Sequence, residues 1–365
     1  MNALGEQVRY GLVGTGMMGV EHITNLAITP GAVVTALADP VAESIGWATA
    51  ALGDRAGGAA VFDSVEALAA SGLCDAVIVA SPNYTHRRVL EPLFDAGLHI
   101  LCEKPLATTL DDCRWIVERA ARSERVFWTA MEYRYMPPAA AFIEEIRSGA
   151  IGRLQMLSIR EHRFPFLVKV ADWNRFSRNT GGTMVEKCCH FFDLMRLITG
   201  SEAVRVYCSG AMDVNHLDER YGGETPDIID NSYTIVDFAN GVRALLDLSM
   251  FADGAENQEE ITAVGDAARL DVLIPEGALV HSPRVGFRNA KQVTRRVVEV
   301  DQAALDAGSH HGSTFYQHQR FNAAVRGAGP VEVSAEDGMM AVAIGTAAEI
   351  SAREHRVVEM AELGF

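Results

Sequence analysis

No stretch of this chain stays apolar over the ~18 residues that a membrane-spanning helix needs. Residues 1–7 lack the basic-then-apolar pattern of a secretory leader. Cysteine is scarce: six residues, at positions 74, 102, 113, 188, 189 and 208, mostly in apolar surroundings and with no C-x-x-C among them. They read as reduced core thiols of a cytoplasmic protein, not as a disulfide framework. With no H-E-x-x-H and no Cys/His set at ligand spacing, no metal site is expected. Positive charge is in deficit, with 32 Lys and Arg against 48 Asp and Glu, a net −16. That balance speaks against nucleic-acid or membrane-surface partners. Internal repeats and low-complexity tracts are also missing. What is present is a 365-residue chain, 48% hydrophobic, long enough for two domains with sizeable cores.

The most informative segment lies near the start. Val8–Val13 is an apolar run of strand length ending in Gly14-Thr15-Gly16-Met17-Met18-Gly19, a complete G-x-G-x-x-G. A helical stretch follows to about residue 27, and Ala32–Ala38 is a second apolar strand closing on Asp39. In such a unit the first glycine permits the tight turn, the second admits a pyrophosphate to the backbone, and the third lets helix and strand pack closely. The helix N-terminus offers unpaired N–H groups to the phosphates. Asp39, 20 residues past Gly19, is placed to accept hydrogen bonds from an adenosine ribose diol. Its charge would repel a 2′-phosphate, and Pro40-Val41-Ala42 supplies no cation to receive one, so NAD is expected over NADP. The competing reading is a glycine-rich turn in an unrelated α/β protein. A lone G-x-G-x-x-G is a weak signal; one framed by two strands and closed by an acid is strong.

Strand and helix go on alternating to about residue 130, the pattern of a doubly wound parallel sheet. Beyond it the pattern changes to successive strand-like runs, near 155–162, 204–211, 232–238, 242–249, 261–264, 269–273 and 278–281, with helices predicted over 182–199, 314–326 and 335–353. The expected fold is therefore α/β: a Rossmann domain over 1–130, then an α+β domain over 131–365 with a large open mixed or antiparallel sheet.

Two places could carry chemistry. Glu103-Lys104-Pro105 follows a predicted strand of the first domain, and in an open parallel sheet the carboxyl ends of the strands face the ligand crevice. Lys104 there could reach nicotinamide and substrate; the alternative is an ordinary surface lysine. Glu186, His190 and Asp193, at i, i+4 and i+7 of the helix predicted over 182–199, share a face. A histidine so placed can act as general acid/base beside a carboxylate; the alternative is a polar face with no catalytic part.

Together these segments resemble the Gfo/Idh/MocA family of oxidoreductases over nearly the whole chain. GTGMMG at 14–19, ASPNYTH at 80–86, CEKP at 102–105 and GGTMVEKCCH at 181–190 fall in the family's order and spacing. The resemblance implies that Lys104 is the active-site lysine and His190 the catalytic histidine. Glu186 stands where the family usually has aspartate. Ser81, Asn83 and His86 match the segment passing the nicotinamide ribose and phosphates, and Glu103 and Lys104 its nicotinamide-side motif. Glu132 falls where asparagine is common, and Trp173 where many members carry a cofactor-side tryptophan. Lys187-Cys188-Cys189 departs from the usual small and apolar residues and adds a cation near the expected substrate position. Pairing of substrate domains, usual in the family, implies a homo-oligomer, a dimer or tetramer.

Against the acidic background one basic group stands out: Arg160, His162, Arg163 and Lys169, with Lys187 joining by the resemblance. Strand alternation puts Arg160 and His162 on one face, with Arg163 and Lys169 able to enter through the following loop. The group reads either as a solvated strand edge or as a pocket for an anionic sugar substituent such as a sulfonate, carboxylate or phosphate. His311, beside His310, is a further candidate for that pocket. Three functions follow. The first is an NAD-dependent sugar or polyol dehydrogenase, in which Lys104 and His190 share proton transfer. The second is a redox-route glycosidase acting on an anionic glycoside such as a sulfoquinovoside or a uronic acid, with Tyr133, Tyr135, Lys187 and Glu186 as additional acid or base. The third is a non-catalytic NAD-binding regulator, disfavoured because Lys104 and His190 are both present.

Overall fold

In the computed structural model the described residues are 7–289 and 292–365; residues 1–6, most of the segment read for a leader, lie outside them. They form two sheets. The first is built from β1 (Val8–Val13), β2 (Ala32–Ala38), β3 (Ala60–Phe62), β4 (Ala76–Val79), β5 (His99–Cys102) and β6 (Phe127–Thr129). Every pair is parallel, in the order β3-β2-β1-β4-β5-β6, the dinucleotide-fold topology. β4 is buried at every position, as a strand covered on both faces must be.

The second sheet holds β7 (Leu154–His162), β8 (Ala203–Ala211), β9 (Asn231–Phe238), β10 (Arg243–Ser249), β11 (Glu259–Gly265), β12 (Ala268–Ile274), β13 (Ala278–Pro283), β14 (Thr294–Val297) and β15 (Val358–Glu359). Its order is β14-β13-β12-β11-β7-β10-β9-β8-β15, antiparallel except for the parallel pair β7 and β10, so the sheet is mixed. Alternation is clear along β7: Leu157, Ile159 and Glu161 are buried, while Met156, Ser158, Arg160 and His162 lie on the more open side. The same side of β8 and β9 leaves Tyr207, Tyr233 and Ile235 exposed.

Two compact units are present, each assembled from separated stretches of the chain. One compact unit takes Met1–Tyr135, Lys169–Trp173 and Asp301–Val342; the other takes Met136–Val168, Asn174–Val300 and Ala343–Phe365. The late segment belongs to the first unit because its contacts there are specific. Tyr10 Oη donates to Asn322 Oδ1 at 3.2 Å, Phe321 meets the Trp128 ring edge-on, and Thr129 N–H donates to Val333 O at 3.1 Å. The helix expected over 182–199 is also divided, into Thr183–Glu186 and Cys189–Thr199. At the junction Lys187 and Cys188 both direct their N–H to Thr183 O, so the regular ladder lapses for one step. The structure also contains a helix over Ala42–Leu52 and the strands β14 and β15, which the sequence reading passed over.

Candidate active site

In the first unit the glycine-rich turn is shaped by three different constraints. Gly14 has φ +88°, and a β-carbon there would stand 2.5 Å from Ser81 N. A β-carbon on Gly19 would stand 2.4 Å from Gly14 O. One on Gly16 would meet nothing within 4 Å, which is the open cradle a pyrophosphate requires. Thr15 is buried; Met17 and Met18 open the helix Met17–Ile28. Asp39 accepts from Thr15 N at 2.8 Å and from Thr15 Oγ1 at 3.2 Å through Oδ2, and from Val41 N at 2.8 Å through Oδ1. The acid expected at the ribose therefore also ties the end of β2 to the turn. These features fit a dinucleotide.

The segment after β4 is equally defined. Ser81 Oγ accepts from Thr85 Oγ1 at 2.8 Å, and Asn83 is buried with its Nδ2 unpartnered among the described residues. His86 is fully buried, its ring nitrogens 3.2 Å from Leu106 O and 3.1 Å from Ser81 O. Burial, only partly countered by the two carbonyls, lowers its pKa, and as a neutral ring it donates to one of them. Trp173 packs against Tyr84 at 6.2 Å and under the Lys169 ammonium at 4.6 Å, so Lys169 is engaged within this unit.

Around Lys104 lies a compact polar group. Glu103 is buried at the end of β5; its Oε2 accepts from Lys104 N at 3.1 Å and its Oε1 lies 3.0 Å from His22 Nε2. Burial would raise Glu103, but the hydrogen bond and charge of His22 together with Lys104 outweigh it and hold the carboxyl low. Glu132 is buried as well. Burial and the neighbouring Glu103 push it up to about 7, against the pull of Lys104 and His310. His310 lies 2.7 Å from Glu21 Oε1, which also accepts from Thr314 Oγ1 at 3.0 Å. Burial opposes charge on both partners, yet the bond lowers Glu21 and raises His310, an ion pair in effect. Tyr133 is buried with its ring 6.4 Å from that of His310. His311 is half-buried and held at φ +50°, an uncommon conformation for a residue with a side chain.

The second unit carries the other candidates. Glu186, Lys187, His190 and Asp193 are all buried, Glu186 on the short helix and His190 on the next. The approach is set by Gly182, at φ +91°, where a β-carbon would collide with the Glu349 carboxylate. Glu349 Oε1 accepts from Met184 N at 2.9 Å. Lys187 Nζ lies 3.0 Å from Glu161 Oε1, on the buried face of β7. Arg163 Nη1 reaches the same oxygen at 3.7 Å. Glu259 is the residue opposite Glu161 on β11, also buried, and Gln258 Nε2 donates to Glu259 Oε1 at 2.7 Å. Burial and Glu161 push Glu259 up to about 8, against the pull of Lys187.

The basic group of the sequence is thus divided by the sheet. Arg160 pairs with Glu260, and His162 Nε2 lies 3.1 Å from Asp247 Oδ1, both on the side away from Glu161 and Lys187. Of the group, Arg163 and Lys187 gather on Glu161, and Lys169 belongs to the other unit.

Known proteins resolve the family. A profile described as "Oxidoreductase family, NAD-binding Rossmann fold" matches residues 8–131, and one described as "Oxidoreductase family, C-terminal alpha/beta domain" matches residues 143–360. The chain belongs to the Gfo/Idh/MocA family. It is an NAD-binding oxidoreductase, with its dinucleotide site in the first unit. A myo-inositol 2-dehydrogenase of Thermotoga maritima is 27% identical over 367 residues, covering 98% of this chain and 99% of its own. An inositol 2-dehydrogenase of Rhizobium meliloti is 26% identical over 360 residues, covering 97% and 99%. Levoglucosan dehydrogenase, solved with NADH and levoglucosan, shares the fold at a TM-score of 0.81 and 20% identity, over 97% of this chain and 99% of its own.

Within this Gfo/Idh/MocA fold, several polar residues escaped the sequence reading: Glu21, His22, Glu161, Glu259, His310 as a partner of Glu21, and His318. Glu161 did leave a trace, as a charge at the inward parity of Leu157 and Ile159. His22 left one too, three residues past Gly19 on a helix whose buried residues include Gly19 and Ile23.

Proposed function

We propose that this protein oxidises a ring CH–OH of a sugar or polyol. The observation that carries the reading is Lys104: it lies two residues past β5 in the same unit as the dinucleotide turn, with its backbone anchored by a buried carboxylate. Bound NAD supplies the hydride acceptor. The protein's part is to hold the hydroxyl, remove its proton and stabilise the alkoxide, roles for which Lys104 in the first unit and His190, with Glu186, in the second are the candidates. Ser81, Asn83, Glu132 and Trp173 are proposed to line the cofactor with the glycine turn and Asp39. The full-length similarity to two inositol 2-dehydrogenases supports a polyhydroxylated substrate. A panel of polyols, neutral sugars, anionic sugars and their glycosides, followed for NADH and for released aglycone, tests the reading. Lys104→Ala and His190→Ala should each lower turnover by ~10²-fold or more with the fold intact, the scale of acid/base groups. Full turnover in either variant removes that residue from the mechanism.

A second reading, a glycosidase that returns its hydride each cycle, is favoured by Glu259. A buried carboxylic acid that stays protonated to about pH 8 is suited to donating a proton to a leaving oxygen. With Glu259 neutral, Lys187, Arg163 and Glu161 together carry one net positive charge, which supports an anionic substituent such as a sulfonate or uronate. Aglycone release without net NADH would select this reading. Stoichiometric NADH with the glycosidic bond intact would exclude it. The exposed Tyr207, Tyr233 and Ile235 support a homo-oligomer, and a 39.5 kDa particle independent of dilution in light scattering would refute one.

A further inference from the structure

His22 is a fully buried histidine on the helix Met17–Ile28, the helix that follows the glycine-rich turn. Both its ring nitrogens are engaged. Nε2 lies 3.0 Å from Glu103 Oε1, and Nδ1 lies 3.0 Å from Nε2 of His318, itself fully buried on the helix Ser313–Val325. The second oxygen of Glu103 accepts the Lys104 N–H. Four groups therefore form one line, running His318, His22, Glu103, Lys104 backbone, with no solvent-exposed member among the first three.

The direction of the hydrogen bonds follows from charge. Glu103 is held as a carboxylate, so it can only accept, and His22 Nε2 must donate to it. Burial and the proximity of His22 keep His318 neutral. Neutral His318 carries one proton; placed on Nε2, it donates to His22 Nδ1. The outer nitrogen, His318 Nδ1, has no partner among the described residues. This arrangement leaves it as an unfilled acceptor, which is better tolerated in a protein interior than an orphaned N–H. The charged groups around the line are Glu103 and Lys104 at one end, Glu21 next to His22 in the chain, and Glu132 and His310 beyond them.

We propose that His22 is a positioning residue for Lys104: supported by His318, it fixes the Glu103 carboxylate that anchors the Lys104 backbone, and so ties the dinucleotide-binding helix to the lysine. An isolated carboxylate accepting one backbone N–H could rotate about its side-chain torsions. One held at both oxygens, by an imidazole that is itself held, cannot. The consequence for turnover rests on the catalytic reading of Lys104; the hydrogen-bond line does not.

The test uses two substitutions that keep the site polar. In His22→Gln the amide Nε2 reaches about as far as the imidazole Nε2 and can still donate to Glu103. In His22→Asn the shorter side chain retains a partner for His318 and loses Glu103. Three readouts are taken on the full-length protein. ¹⁵N NMR of the wild-type ring should show His22 protonated at Nε2. Amide hydrogen exchange at Lys104 should be slow in wild type and His22→Gln, and faster in His22→Asn by roughly tenfold or more, the scale of a lost bond to a charged group. With NAD and myo-inositol as probes, kcat of His22→Asn should fall by a similar factor, with KM for NAD changed less than ~2-fold and with His22→Gln close to wild type.

A His22 ring protonated at Nδ1 alone overturns the proposal. So does Lys104 exchange that is the same in all three proteins, or a His22→Gln variant as fast-exchanging as His22→Asn. If the exchange pattern holds while Lys104→Ala turns over normally, the catalytic reading of Lys104 fails and the positioning line stands. If myo-inositol is not oxidised at all, the NMR and exchange results still decide the proposal.

Discussion

A β-carbon added at Gly19 would sit 2.4 Å from a backbone oxygen, whereas one added at Gly16 would touch nothing. The same substitution should therefore fail in two different ways. Gly19→Ala should lower thermal stability, because backbone must shift to admit it. Gly16→Ala should fold with an unchanged melting temperature and lose NAD affinity, because the added methyl occupies space the pyrophosphate needs. Calorimetry and NAD titration on both variants separate the cases; equal melting temperatures would contradict the steric account. Asp39 holds the turn and is the residue proposed for the ribose. Asp39→Ala should weaken NAD and narrow its advantage over NADP, as titration of both cofactors would show. It should also cost stability in the absence of cofactor, since Thr15 N–H loses its acceptor, at about 1–3 kcal/mol for a group left unpaired.

At the level of elements, the strands of both sheets other than β14 and β15 were legible because their alternation and turn residues are local signals. So was the glycine turn with Asp39, where each residue has a chemical reason of its own. Less legible was anything decided by a partner distant in sequence. Alternation placed Arg160 and His162 together correctly, yet it could not say which face of β7 the helices cover, nor that Glu260 and Asp247 stand ready on neighbouring strands. The break at Lys187-Cys188 was hidden for a similar reason: Lys187 is drawn to Glu161, 26 positions earlier in the chain. The line from His318 to Glu103 joins positions no periodicity connects. The division of the basic group gives a prediction. Arg163→Gln should reduce kcat/KM for an anionic sugar by roughly 10- to 150-fold, the value of a lost charge-assisted contact, and spare a neutral analogue. Arg160→Gln, on the other side of the sheet, should leave both unchanged. Parallel assays of the two variants on one charged and one neutral substrate decide the matter.

For the molecule as a whole, three acids with raised pKa values, Glu132 and Glu259 buried and Glu349 half-buried, shape the response to pH. Glu259 stays protonated to about 8, and Glu132 and Glu349 to about 7, each raised chiefly by burial. A carboxyl with a raised folded-state pKa binds its proton more tightly in the folded than in the unfolded chain. Its contribution is complete below the ordinary carboxyl range and is lost as pH rises through the folded value. Stability should therefore decline from about pH 4.5 towards pH 8, as far as these groups govern it. Glu259→Gln should flatten that decline and raise the melting temperature at pH 8.5 by ~2–4 °C, if at least about 1 kcal/mol is recovered. A variant whose melting temperature falls with pH as steeply as wild type would show that Glu259 is not the group responsible. The division of the chain into units has a consequence of another kind, in the order of synthesis. The nucleotide-binding unit includes the first strand, but its helix Ser313–Val325, carrying His318, Phe321 and Asn322, is made only after β7 to β14 of the second sheet. At 5–20 residues per second, roughly 10–40 s separate Tyr135 from the end of that segment. Through that interval Tyr10, Trp128 and the buried face around His22 emerge from the ribosome without the helix that covers them. The nascent chain must wait with its cofactor domain unfinished, and a truncation after residue 150 should never complete it.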